Sequence, residues 1–130
     1  MNNRQIYLNG QLVSEDEAKL SVTDLAIQRG YGIFDFLKIV KGKPIFIEDY
    51  FNRFYKSANE MNLEIDMERG ELHDAVNRLL AKNNIPNSSL KLILTGGYSE
   101  DGYQIAKPNF IIIQTPFQYD KSRFRTSCLL

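Results

Sequence analysis

The chain has one cysteine, Cys128, and one histidine, His73, in its 130 residues. A single thiol excludes a disulfide within the chain, and the pair supplies too few soft ligands for a Cys/His metal centre. Neither sign of charge is in excess, since 16 Lys and Arg balance 16 Asp and Glu. No net field therefore draws the chain to nucleic acid or to an anionic membrane. No apolar run approaches the ~20 residues needed to span a bilayer. The opening residues, Met1 to Gln5, lack the apolar core of a signal peptide. No internal repeat or low-complexity segment is visible. The expectation is a cytoplasmic protein of one globular domain, with 43% hydrophobic residues for its core.

What is present is organised around Asp24 to Val40. Gly30 and Gly32 supply turn chemistry, and Ile33 to Val40 then reads as a strand. Alternation puts Ile33, Asp35, Leu37 and Ile39 on one face, and Phe34, Phe36, Lys38 and Val40 on the other. The first face suits a core. The second, two rings followed by a cation, suits the wall of a pocket for a small molecule with an apolar body and an anionic end. The same composition also fits two covered faces with Lys38 reaching to water. Gly30-Tyr31-Gly32 is not a dinucleotide fingerprint, because Asp35 stands at the third-glycine position and a strand follows instead of a helix.

Ahead of this stretch, Asn9-Gly10 joins Gln5 to Leu8 and Gln11 to Val13 as a β-hairpin. Ser14 and Glu17 have capping-box spacing, and Asp24 is placed to cap a turn of Leu25 to Ile27. Beyond it, Gly42 marks a tight turn and Pro44 to Ile47 reads as a return strand at an edge. Glu48 to Asn62 is a helix with Phe51, Phe54, Tyr55, Ala58 and Met61 on its apolar face. Arg53 falls on the opposite face, either as a solvated arginine or as a fixed contact for an anion or phosphate. A second helix, Glu68 to Asn83, buries Leu72, Ala75, Val76, Leu79 and Leu80 and ends at Asn83-Asn84. His73 falls at its boundary. Ser89 to Thr95 is a strand in which Lys91 faces away from Leu90, Leu92 and Leu94. It leads into a flexible glycine-rich loop, Gly96 to Gly102, which lacks the Gly-Lys-Ser/Thr of a P-loop. Asn109 to Thr115 reads as a strand buried on both faces.

The fold class is therefore α+β. The strand and helix order is β-β-β-β-α-α-β-β, a mixed or antiparallel sheet of about five strands with two main helices on one face. Residues 117 to 130, with Lys121, Arg123 and Arg125 alternating along them, read as the start of a further strand.

The ordered set of these pieces resembles the N-terminal domain of class IV aminotransferases, the fold-type IV pyridoxal-phosphate enzymes. That group includes branched-chain and D-amino-acid aminotransferases and aminodeoxychorismate lyases. Tyr7-Leu8-Asn9-Gly10 resembles the family's opening hairpin, and Asp24 to Asp35 its aspartate followed by Tyr-Gly-x-Gly-Val-Phe-Glu. Gly42-Lys43-Pro44 resembles the hairpin before the first helix. Glu48 to Phe54 with Ser57-Ala58 resembles the His-x-x-Arg-Leu helix, and Leu90 to Gly97 the strand that ends in Thr-Arg-Gly.

The resemblance implies that Arg53 contacts the phosphate of pyridoxal 5'-phosphate and that Phe34, Phe36 and Lys38 line the substrate side of a cleft. It makes Lys91 a basic residue near the substrate, and it sets Arg29 where many members carry tyrosine. Asp35 replaces the usual glutamate, Phe36 a small residue, and Gly96 the arginine of Thr-Arg-Gly. The family's Schiff-base lysine and the acidic partner of the pyridine nitrogen sit on a second domain, so no catalytic residue is expected here. Residues 1 to 116 are expected to be the small N-terminal domain, and 117 to 130 the linker and start of the catalytic one. The expectation is the N-terminal portion of a homodimeric branched-chain-like aminotransferase that moves an amino group to a 2-oxo acid and is inactive alone. The same residues fit a lyase on aminodeoxychorismate, or a standalone binding domain without catalysis. The sheet face opposite the helices is expected to be unusually apolar.

Overall fold

The computed structural model describes residues 4–116. Two antiparallel strands open it, β1 (Gln5–Leu8) and β2 (Gln11–Ser14). Asn9 and Gly10 between them both take positive φ, 50° and 96°, as the two central residues of a type I′ turn require. After one 3₁₀ turn at Glu15–Glu17 comes a short helix, α1 (Leu25–Arg29). The Asp24 carboxyl accepts from the Ala26 N–H at 2.8 Å, the expected cap, and Gly30 ends the helix at φ 67°. Then follow β3 (Gly32–Val40), β4 (Lys43–Pro44), α2 (Ile47–Glu60), α3 (Arg69–Asn83), β5 (Ser88–Thr95) and β6 (Phe110–Pro116).

The strands form one six-stranded sheet in the order β2-β1-β6-β5-β3-β4, and every pairing is antiparallel. The α+β expectation holds, with six strands instead of about five. Both long helices lie on one face. Phe51, Phe54 and Ala58 of α2 and Leu72, Ala75, Val76 and Leu79 of α3 are buried against Tyr7, Leu37, Ile39, Leu90, Leu92, Leu94, Phe110 and Ile112 of the sheet. Each large side chain removed from water there contributes roughly 1.5–3 kcal/mol. At the start of α3, Glu68 and Glu71 form a reciprocal capping box, and Asn84 closes its end in the left-handed region. His73 sits at the margin of this packing, its ring edge-on to Phe51 and its Nε2 2.8 Å from Glu48.

Three local expectations change. The return strand is two residues long, not four: Phe46 turns to φ 55°, and Ile47 becomes the first residue of α2. β6 is not buried on both faces, since buried Phe110, Ile112 and Gln114 alternate with half-buried Ile111 and Ile113. Its outer side lies on the face of the sheet away from the helices. The Gly96 to Gly102 loop is organised by hydrogen bonds. Asp101 Oδ1 accepts from the N–H groups of Tyr103 and Gln104, both at 2.9 Å, and from Ser99 Oγ at 3.1 Å. These contacts, led by the two N–H groups, hold the Asp101 carboxyl below its ordinary pKa. The strand expected within 117–130 lies outside the described residues.

Candidate functional site at the open edge of β3

β3 presents its two faces as its alternation requires. Leu37 and Ile39 are buried under the helices, while Phe34, Phe36, Lys38 and Val40 are exposed on the other side. Phe34 is 61% exposed and Phe36 46%, unusual values for phenylalanine. Their rings meet edge-to-face with centroids 5.7 Å apart. Phe36 lies directly across from Lys91 of β5 and Phe34 across from Ile93, and Lys91 and Ile93 in turn face Ile113 and Ile111 of β6. The Lys91 ammonium sits 4.6 Å from the Phe34 centroid and 5.4 Å from that of Phe36. Each cation–π contact at such an exposed site is worth ~0.5–1 kcal/mol. The side of the sheet away from the helices thus carries two exposed rings, a cation on them, and half-buried isoleucines. Apolar side chains of this kind left exposed side by side form a patch suited to contact with another surface.

Arg53 lies on the polar side of α2 and reaches β3 from the helix side. Its Nε–H donates to Asp35 Oδ2 at 2.6 Å and its Nη2–H to Asp35 Oδ1 at 2.7 Å. Its guanidinium carbon is 4.7 Å from the Tyr50 ring centroid. Burial tends to raise the Asp35 carboxyl's pKa, but the Arg53 hydrogen bonds, the Phe36 N–H and the guanidinium charge outweigh it and hold the group below its ordinary value. The same hydrogen bonds and charge push Arg53 further above its ordinary range. The alternation of β3 carried a signal for this pair: a carboxylate on an otherwise aliphatic face requires a partner.

Of the residues singled out in the sequence, Phe34, Phe36 and Lys91 form one contiguous cluster. Arg53 joins the same strand through Asp35, on the other face. Lys38 lies on the cluster's face, two residues beyond Phe36 and across from Ser89. Arg29 sits at the end of α1, where it lies over the Tyr31 ring at 5.3 Å and donates to the Tyr103 carbonyl at 3.1 Å. None of those contacts joins it to the cluster. Gly96, where the family's arginine would stand, is confined by packing. A Cβ there would lie 2.8 Å from Leu25 Cβ and 3.3 Å from the Tyr31 ring.

One polar network was not legible from the sequence. Buried Asp24 Oδ2 accepts from Thr95 Oγ1 and Asn109 Nδ2, both at 2.7 Å. Thr95 Oγ1 also accepts from the N–H groups of Gly97 and Asn109, each at 3.1 Å. Asn109 Oδ1 accepts from Asn9 Nδ2 at 2.9 Å. The network ties the start of α1, the β1–β2 turn, the end of β5 and the entry to β6 together. Its donors and acceptors are matched, and it fixes the end of the sheet from which β3 sets out.

A model of the amino-transferase class IV family matches residues 32–129. D-alanine aminotransferase of Staphylococcus epidermidis is 31% identical over 104 residues, 80% of this chain and 37% of that enzyme. The chain belongs to the class IV aminotransferase family. The D-alanine aminotransferase of Staphylococcus haemolyticus is 29% identical over 90% of the chain and 42% of its own length. The branched-chain amino acid aminotransferase of Escherichia coli superposes with a TM-score of 0.82 at 20% identity, over 89% of this chain and 40% of that one. A second branched-chain amino acid aminotransferase, from T.th. and solved with pyridoxamine 5'-phosphate, gives 0.81 at 20% identity, over 92% and 42%. These likenesses establish the class IV N-terminal fold. The chain spans well under half the length of the relatives it matches.

Proposed function

We propose that this chain forms the N-terminal wall of the active-site cleft in a pyridoxal-phosphate-dependent amino-acid aminotransferase. The observation that carries the reading is the cluster of exposed Phe34 and Phe36 with Lys91 on the sheet face away from the helices, in a chain of the class IV family. Two exposed rings with a cation held over them suit a substrate that has an apolar side chain and a carboxylate. Lys91 and Lys38 lie on that face to receive the carboxylate, and the rings exclude water from the apolar part. Arg29, tied to Tyr103, takes the outer rim.

Arg53 has the donors to hold the cofactor's phosphate. A guanidinium carries five N–H groups. Asp35 takes two of them and the Tyr50 hydroxyl bonds to the same guanidinium, which still leaves donors for an anion on a side chain 59% exposed. The cofactor, when bound, supplies the electron sink for moving an amino group between an amino acid and a 2-oxo acid. The residues described here bind and orient. The lysine and the acidic partner that the chemistry needs are placed on a second domain, to which residues 117–130 belong in part. The chain alone is therefore inactive in this reading, and the working enzyme is a cytoplasmic homodimer.

The test uses the whole protein and, separately, the 130-residue chain, each with pyridoxal 5'-phosphate and 2-oxoglutarate. D-alanine and L-leucine serve in turn as amino donors. The expected result is glutamate formation by the whole protein and none by the chain. Pyruvate release from aminodeoxychorismate with no amino transfer would establish a lyase instead. Turnover by the 130-residue chain would overturn the division of labour proposed here.

A further inference from the structure

Asp35 occupies a position on β3 whose face is otherwise aliphatic, between Ile33 and Leu37. Its carboxylate is bonded bidentately to Arg53, and Oδ1 also accepts from the Phe36 N–H at 2.8 Å. Tyr50, three residues before Arg53 on α2, lies against the guanidinium. The head of a side chain with several rotatable bonds is thus held from two directions. Its plane is set by the carboxylate fork and by the ring.

We infer that Asp35 is a positioning residue that aims Arg53 at a phosphate monoester. This inference rests on the reading of Arg53 as the phosphate contact. The bidentate bond consumes Nε–H and one Nη2–H, so Nη1 and the second Nη2–H face away from the carboxylate. They form a donor edge that is fixed before any ligand arrives. An anion that binds a fixed fork loses less side-chain entropy than one that must order a free arginine. Asp35 also lies between Phe34 and Phe36 in sequence, and their side chains point to the opposite face. One strand therefore sets both the guanidinium and the aromatic wall, and the spacing between the phosphate end and the substrate end of a ligand is fixed by β3. The arrangement has a cost, because the carboxylate's own charge repels a phosphate. Positioning and repulsion predict opposite signs when the carboxylate is removed.

The test measures dissociation constants of the cofactor-free whole protein for pyridoxal 5'-phosphate and, in parallel, for pyridoxal, by absorbance titration. Arg53→Ala should weaken the phosphorylated ligand about tenfold and leave pyridoxal unchanged. Asp35→Ala should weaken it about fivefold, again with pyridoxal unchanged, and Asp35→Glu should recover to within about twofold. The double variant should be no weaker than Arg53→Ala alone, because Asp35 acts through the arginine. If Asp35→Ala binds the phosphorylated ligand as well as or better than the parent while Arg53→Ala loses it, the positioning role is overturned and the phosphate reading of Arg53 stands. Losses that multiply in the double variant overturn it equally. If Arg53→Ala keeps full affinity, the phosphate reading itself falls, and the role of Asp35 with it. Thermal melting checks each fold. Should Asp35→Ala not fold, Asp35→Asn, which keeps the shape and loses the charge, is judged by the same outcomes.

Discussion

Replacing Thr95 by valine tests whether the buried network at the head of the sheet holds the fold as its geometry implies. Valine keeps the branched shape and removes only the hydroxyl. That hydroxyl belongs to a residue 1% exposed; it donates to Asp24 and accepts from the N–H groups of Gly97 and Asn109. Three polar partners lose a bond at once, and none is placed to reach water. At the low end, ~1 kcal/mol for each of the two N–H groups left without an acceptor and about as much for the bond lost by Asp24, which keeps Asn109 Nδ2, Thr95→Val should cost about 3 kcal/mol. With a urea slope of ~1.5 kcal/mol per M, the unfolding midpoint should fall by about 2 M. Thr95→Ser restores the hydroxyl and gives up one methyl, so it should recover all but about 1 kcal/mol. Hydrogen exchange gives a local reading. The Gly97 and Asn109 amides should lose protection in the valine variant and keep it in the serine one. A valine variant within ~0.5 kcal/mol of the parent, or serine no better than valine, would refute the reasoning, because the hydroxyl would then contribute nothing beyond its volume.

Two further outcomes follow from backbone geometry and from the ion pair. Gly97 and Gly102 both have positive φ, 88° and 78°, but an added Cβ at Gly97 would collide with the Lys107 carbonyl, whereas at Gly102 it meets open space. Gly97→Ala should therefore cost about 2–3 kcal/mol and Gly102→Ala about 1 kcal/mol, and thermal melting that reverses this order would refute the packing argument. Asp35 has a folded-state pKa below its ordinary 3.8, so the stability it contributes is present above that value and is lost as pH falls through the folded one. The stability gap between the parent and Asp35→Asn, measured by urea midpoint, should be constant from about pH 7 to 5 and shrink in stronger acid. A gap that widens on acidification would exclude Asp35 as the group responsible.

Much of the fold was legible because it depends on local periodicity. The two-residue period of Ile33 to Val40 separated the core residues Leu37 and Ile39 from the exposed Phe34 and Phe36. The helical period and the stop signal at Asn83-Asn84 bounded α3 to within a residue. What escaped was of long range. The Arg53–Asp35 pair joins residues 18 apart in sequence on different elements, and the bonds from Asp24 to Thr95 and Asn109 span 71 and 85 residues. Periodicity states which face a residue takes, not which faces meet. Of the cluster, Phe34 and Phe36 could be placed together from the strand alone. That Lys91 joins them depends on the register between β3 and β5, which no local pattern encodes.

The short β4 and the Asp35–Arg53 pair are one structural fact. β4 pairs Pro44 with Ile39 and Lys43 with Val40, and one more ladder bond runs from the Ile45 N–H to the Lys38 carbonyl. Had the return strand continued to Ile47 in this register, it would have covered the outer edge of β3 as far as Phe36, next to Asp35. Helix α2 would also have begun later, and each residue of delay turns its start by about 100°. Phe46 prevents this by taking φ 55°. The chain leaves the sheet there, Ile47 becomes the first core residue of α2, and the helix runs back along β3 with Arg53 at the height of Asp35. Among the described residues, the outer edge of β3 ahead of Lys38 then has no strand beside it. Along that edge the guanidinium of one face and the aromatic wall of the other are held by consecutive residues of the same strand. A left-handed turn at one residue, itself 71% exposed, thus leaves the edge of β3 beside Asp35 open to α2 and not to a longer sheet.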